Sequence, residues 1–99
     1  MDTLSNYIFL KYNIMWNQAI IEILSTAVFI FVVVYTKHFL AIGVITALLI
    51  YLSDGTAMFN PAIVLVNVAN RMLSIPQAGL LIFAELIGAV VGLMLYKFT

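Results

Sequence analysis

From Ile14 to Leu52 apolar residues follow one another almost without interruption. A single helix of that length would be about 60 Å long, roughly twice the hydrocarbon thickness of a bilayer. The chain must therefore reverse, and the only polar break is Tyr35-Thr36-Lys37-His38. The pattern predicts a first span over 16–36 and a second over 38–53, joined by a very tight turn. His38, the only histidine, falls in that turn. A solvated loop residue is the simpler reading of it, and a protonation-driven gate the other. Residues 1–15, with Tyr7, Phe9, Lys11 and Tyr12 and with Trp16 at their edge, read as an N-terminal interfacial segment, a short helix in the headgroup region or the outer end of the first span, its aromatics forming a belt. Asp2 replaces the basic start of a signal peptide, and no small-residue cleavage site follows a short apolar core.

The pattern breaks again at Ser53-Asp54-Gly55 and resumes at Asn60-Pro61. Asp-Gly stops a helix, Asn is a strong N-cap, and proline is favoured at the first helical position. The apolar run that follows, Ala62 to Ala69, is too short to cross a bilayer, and Asn70, Arg71 and Ser74 return the chain to water. About ten helical residues cover roughly 15 Å, half a membrane. Residues 54–71 are thus expected to dip to the midplane as a re-entrant loop and come back as a half-helix. Irregular backbone at that depth must be buried in protein or line a wet cavity. A third span is expected over 76–97. The expected fold is all-α and transmembrane, with three spans and one re-entrant half-helix.

Small residues recur at intervals of four in the third span, at Ala84, Gly88 and Gly92, and more briefly in the second, at Gly43 and Ala47. Such stripes let another helix approach closely. Glu22 in the first span and Glu85 in the third are carboxyls in apolar surroundings, and each needs a local partner. One reading gives them to the N–H groups of the re-entrant loop, and the other makes them a proton or cation site.

Composition sharpens the class. The 99 residues are 66% hydrophobic and 8% charged. A soluble domain of this size cannot hide so much apolar surface, so an integral, multi-pass membrane protein partnered by the lipid bilayer is expected. Net charge is zero and no basic cluster occurs, which argues against nucleic acid. Without cysteine there is no disulfide or thiolate chemistry. No nucleophile–base pair or metal-ligand cluster is visible, so neither an enzyme nor a cofactor is expected.

The residues resemble one family, the major intrinsic proteins, which comprise aquaporins and glycerol channels. Asn60-Pro61-Ala62 is similar to its NPA signature, and Gly55-Thr56-Ala57-Met58-Phe59 to the loop before it. Glu22 with Thr26 resembles the family's Glu-x-x-x-Thr pattern, and Ala84-Glu85-Leu86-Ile87-Gly88-Ala89 its Ala-Gln-x-x-Gly-Ala stretch. The resemblance covers about residues 19–96 and only the first half of such a channel. The chain departs from the family at Met58 and Glu85, where the family has His and Gln. Ile63 stands where the second half of a family member carries arginine.

The resemblance implies that residues 16–99 form half of an aquaporin-like fold. Gly55, Thr56, Ala57, Met58, Asn60, Pro61 and Ala62 would line a pore, and Glu22, Thr26 and Glu85 would support the loop. The positive ends of facing half-helices would disfavour cations at the midplane. Since one half cannot close a pore, the implied assembly is an antiparallel homodimer, or several such dimers, passing small neutral solutes such as water or glycerol. Lys11 and Arg71 on one face balance Lys37 and Lys97 on the other, which gives no bias in orientation. Two other readings stay open: a non-conducting interaction protein with the same fold, and a proton or cation pathway through Glu22 and Glu85.

Overall fold

In the computed structural model, which describes residues 2–99, the chain is helical with no strand among the described residues. Four helices follow in order: α1 (Thr3–Thr36), α2 (Phe39–Leu52), α3 (Pro61–Ala69) and α4 (Ile75–Lys97). Two of them, α1 and α4, are long and apolar enough to cross a membrane.

The first helix is one element: residues 3–15 continue into the span expected from residue 16 as its outer end, and residue 1 lies outside the described residues. Asp2 caps it, accepting the Ser5 N–H at 2.7 Å. That bond holds the Asp2 carboxyl below the ordinary aspartate range. Nothing between Thr3 and Thr36 interrupts the helix, since the stretch contains neither glycine nor proline. Its 34 residues make a rod about 51 Å long. Residues 3–14 are all exposed. The rod ends at Lys37, whose left-handed backbone (φ 52°) turns its N–H onto Val33 O at 3.1 Å. His38 then caps α2, its Nδ1 accepting the Leu40 N–H.

The second helix covers 39–52 rather than 38–53. With 14 residues it spans only about 21 Å, short of the roughly 30 Å of a bilayer core. It packs against α1 alone, and none of its residues is buried. Gly43 and Ala47 are exposed, and a methyl added at Gly43 would meet nothing. The packing expected of that shorter stripe is absent within the chain.

The stripe on α4 does pack. Helices α1 and α4 run parallel: Ile14 and Met15 share a hollow with Gln77 at one end, and Tyr35 shares another with Tyr96 at the other. A Cβ on Gly88 would stand 2.6 Å from Ile23 O, and one on Gly92 2.5 Å from Ala27 O. Only hydrogen fits between these backbones. Ala19, Ala27 and Ala84 extend the close approach and are buried. The helix α4 starts at a Ser74–Gln77 capping box and also carries α3, through a small core of Val64, Ala78 and Leu81.

Gly88→Ala should therefore prise α4 from α1 and lower stability by about 1–3 kcal/mol, the usual cost of overpacking. Gly43→Ala should change stability by no more than about 0.5 kcal/mol. Thermal unfolding of both variants in detergent measures the contrast. Equal effects would mean that the α1–α4 approach is not the tight contact.

Candidate functional site

The helix α2 stops because Asp54 and Gly55 both take left-handed backbone, φ 54° and 78°. Glycine adopts that conformation without steric cost, and aspartate more readily than most residues. Ser53 ties off the end. Its carbonyl accepts from Thr56 N and Oγ1, and its Oγ takes the Ala57 N–H at 3.1 Å. Beyond this knot, residues 56–59 have no secondary structure, so their backbone groups need other partners.

The middle of α1 supplies them. Gln18 Nε2 donates to Thr56 O at 2.8 Å. Glu22 Oε1 accepts the Met58 N–H at 2.8 Å, and Oε2 accepts the Phe59 N–H at 3.2 Å. Gln18 also reaches Glu22 Oε1 at 3.4 Å. Glu22 is fully buried. Two successive amides converging on one carboxylate match the charge-assisted geometry that makes such bonds strong. Phe59 is held at φ 64°, a conformation that costs a bulky residue about 1–3 kcal/mol. The Glu22 bond and the ring of Phe29, 5.3 Å away, offset that strain.

The bend delivers the chain to Asn60. Its Oδ1 accepts the Ala62 N–H at 2.8 Å and caps α3, with Pro61 in the first turn. The Nδ2 group makes no hydrogen bond among the described residues, and Asn60, Pro61 and Ala62 are exposed. A cavity of about 280 Å³ lies between the loop, α1, the end of α3 and the start of α4, and Asn60 is not among its lining residues. Gln18, Thr56, Asn67 and Gln77 give it polar groups, and Met15 and Met58 are among its apolar walls.

The remaining expected residues are divided. Gly55, Thr56 and Met58 line the cavity, whereas Ala57 is buried. Met58 also packs on the Val64–Ala78–Leu81 core. Glu22 alone of the three expected supporting residues bonds to the loop. Thr26 and Glu85 are each 2% exposed, and neither makes a hydrogen bond to it. Thr26 instead faces Gly88, and the Glu85 carboxyl lies beside that of Glu22. Sequence reasoning missed Gln18. Its signal was present, as a polar residue one helical turn before Glu22 in an apolar run. Asn67 was also missed; its amide donates to Ile63 O at 2.9 Å and lines the cavity.

Compared with known proteins, the chain matches no family model, no curated protein and no solved structure.

Glu22→Ala should strip two buried amides of their acceptor and release the strained Phe59. Losing one partner of a buried hydrogen bond costs about 1–3 kcal/mol, and more where a charge is involved. A thermal midpoint unchanged by Glu22→Ala would contradict this role.

Proposed function

We propose that this chain is one half of a passive channel for small neutral solutes, completed by a second copy inserted in the opposite orientation. The observation that carries the proposal is the height at which the loop is bound. Glu22 lies eight residues after Ile14 and thirteen before Tyr35, near the middle of the apolar stretch of α1. A loop fixed there sits at mid-depth once α1 crosses a bilayer, and the start of α3 sits there with it.

Several features fit this reading. The buried positions between α1 and α4 hold Glu22, Ser25, Thr26 and Glu85, while Leu24, Phe83, Leu86 and Val90 face outward. Polar groups inside and apolar groups outside suit a hydrocarbon solvent. Asn60 leaves an unused amide donor beside the open N-terminus of α3, a pairing suited to a passing hydroxyl or water. In hydrocarbon that end requires cover, and an inverted copy would bring an equivalent end to meet it. In this reading α1, α2 and α4 make three crossings, the short α2 being completed by the turn that enters the loop. The basic residues then balance: Lys97 lies with Tyr35, near Lys37, at one end, and Arg71 precedes Met72 at the Ile14 end, near Lys11.

Osmotic swelling of vesicles containing the purified protein tests the activity. Asn60→Asp keeps a capping oxygen but removes the amide donor and can add charge, so flux should fall at least about tenfold with assembly intact, a loss of about 1.4 kcal/mol or more. Unchanged swelling would remove the pore from this site. No swelling by an intact wild-type assembly would favour the non-conducting interaction role.

Orientation gives a second test. Single cysteines at Asn6 and Thr99, labelled from outside intact cells, should each react in a substantial fraction of chains. Labelling that places nearly all chains one way round would sink the antiparallel pair.

A further inference from the structure

Between α1 and α4 lie buried oxygens that no donor among the described residues satisfies. Glu85 is 2% exposed, and neither of its carboxyl oxygens has a hydrogen-bond partner. Thr26 Oγ1, one turn beyond Glu22, is equally buried and equally unpartnered. Gly88, one turn after Glu85, sits directly against Thr26 and places both residues on the facing sides of the α1–α4 seam. The Glu22 carboxyl borders the same space, next to that of Glu85.

The donors are unequally shared. Glu22 receives the Met58 and Phe59 amides and the Gln18 side chain. No N–H reaches Glu85 among the described residues. Two carboxyls in contact repel strongly in a medium of low dielectric constant, and an unpaired buried carboxylate is not tolerated. Nor can the rest of the chain supply the positive charge. Helix α3 carries no titratable residue, and α2 only Tyr51, exposed at its end. The other titratable residues of α1 nearest the site are Tyr12 and Lys11, ten and eleven positions before Glu22, and Tyr35, thirteen after it; α4 adds only Tyr96 and Lys97 at its far end. Asp54 and Arg71 are exposed.

We infer that Glu22, Thr26 and Glu85 form a site for one dehydrated monovalent cation, either Na⁺ or a proton held between the two carboxyls. The ligand set is all oxygen, which suits hard cations and excludes soft ones. The loop N–H groups already face the Glu22 oxygens, so one added positive charge is enough for the pair and two would exceed it. One positive charge leaves the pair at minus one, and the loop amides face that remainder. The occupant would tie α4 to the helix face that holds the loop.

The test is thermal unfolding of the purified protein in detergent at constant ionic strength, with NaCl exchanged for choline chloride, at about pH 6 and about pH 9. At the higher pH, Na⁺ should raise the wild-type midpoint by about 4–8 °C. In choline the midpoint should fall as the pH rises, because the proton leaves and nothing replaces it. Glu85→Gln, whose amide can donate to Glu22, should match the occupied wild type and respond to neither variable. Thr26→Val should lose the Na⁺ response and keep the pH response. Wild-type dependence on pH alone assigns the site to the proton. Dependence on Na⁺ that fades at the lower pH assigns it to both in competition. A wild-type protein insensitive to both, or a Glu85→Gln protein that keeps either response, would overturn the site. Should Glu85→Gln fail to fold, an Na⁺ response undiminished by Thr26→Val would do the same.

Discussion

The Glu22 carboxylate accepts the Met58 and Phe59 amides at 2.8 and 3.2 Å, and the arrangement of the other helices depends on this contact. Residues 56–59 are not helical, and the Met58 and Phe59 amides within them have no partner in the loop itself. Without an acceptor at that height the stretch would have to solvate itself or move out to water. Glu22 fixes it against α1, and the fixed loop sets where α3 begins. Gln18, one turn earlier, holds Thr56 O and keeps the carbonyl side of the same segment in register. The left-handed Phe59 is the cost of turning the chain sharply enough to start a helix at Pro61.

Close packing makes that carboxylate possible. Helix α4 covers Glu22 only because Gly88 and Gly92 bring its backbone against Ile23, Thr26 and Ala27. The same approach buries Glu85 beside Glu22. One pair of glycines thus creates both the dry environment that strengthens the loop bonds and the buried second carboxyl that has no hydrogen-bond partner among the described residues.

Much of this was legible where a residue's chemistry has one local solution. Asp54-Gly55 ends α2 and Asn60-Pro61 starts α3, because these residues act on neighbouring backbone, whereas the Ser74–Gln77 box that starts α4 reads in the sequence only as a return to water. The all-helical class follows from long apolar runs and few breakers. Other features depend on tertiary placement. Residues 1–15 look distinct in composition, yet nothing in them stops a helix, so α1 runs through. Gly43-Ala47 and Gly88-Gly92 have the same spacing, and only the fold decides which one meets a partner helix. Thr26 shares a face of α1 with Glu22, and Glu85 lies across from it on α4, but of the three only Glu22 bonds to the loop. Periodicity assigns a face and does not say which residue on it the loop will touch.

Amide hydrogen exchange at Met58 and Phe59, residue by residue in lipid or detergent, tests the central contact most directly. Both amides should exchange as slowly as those in the middle of α1, although they lie outside any helix. Glu22→Gln, with one acceptor oxygen in place of two, should speed at least one of them by about tenfold or more, since that corresponds to about 1.4 kcal/mol of lost local stability. Wild-type exchange at Met58 and Phe59 as fast as at the exposed Asp54, or protection undiminished in Glu22→Gln, would mean that Glu22 does not hold the loop.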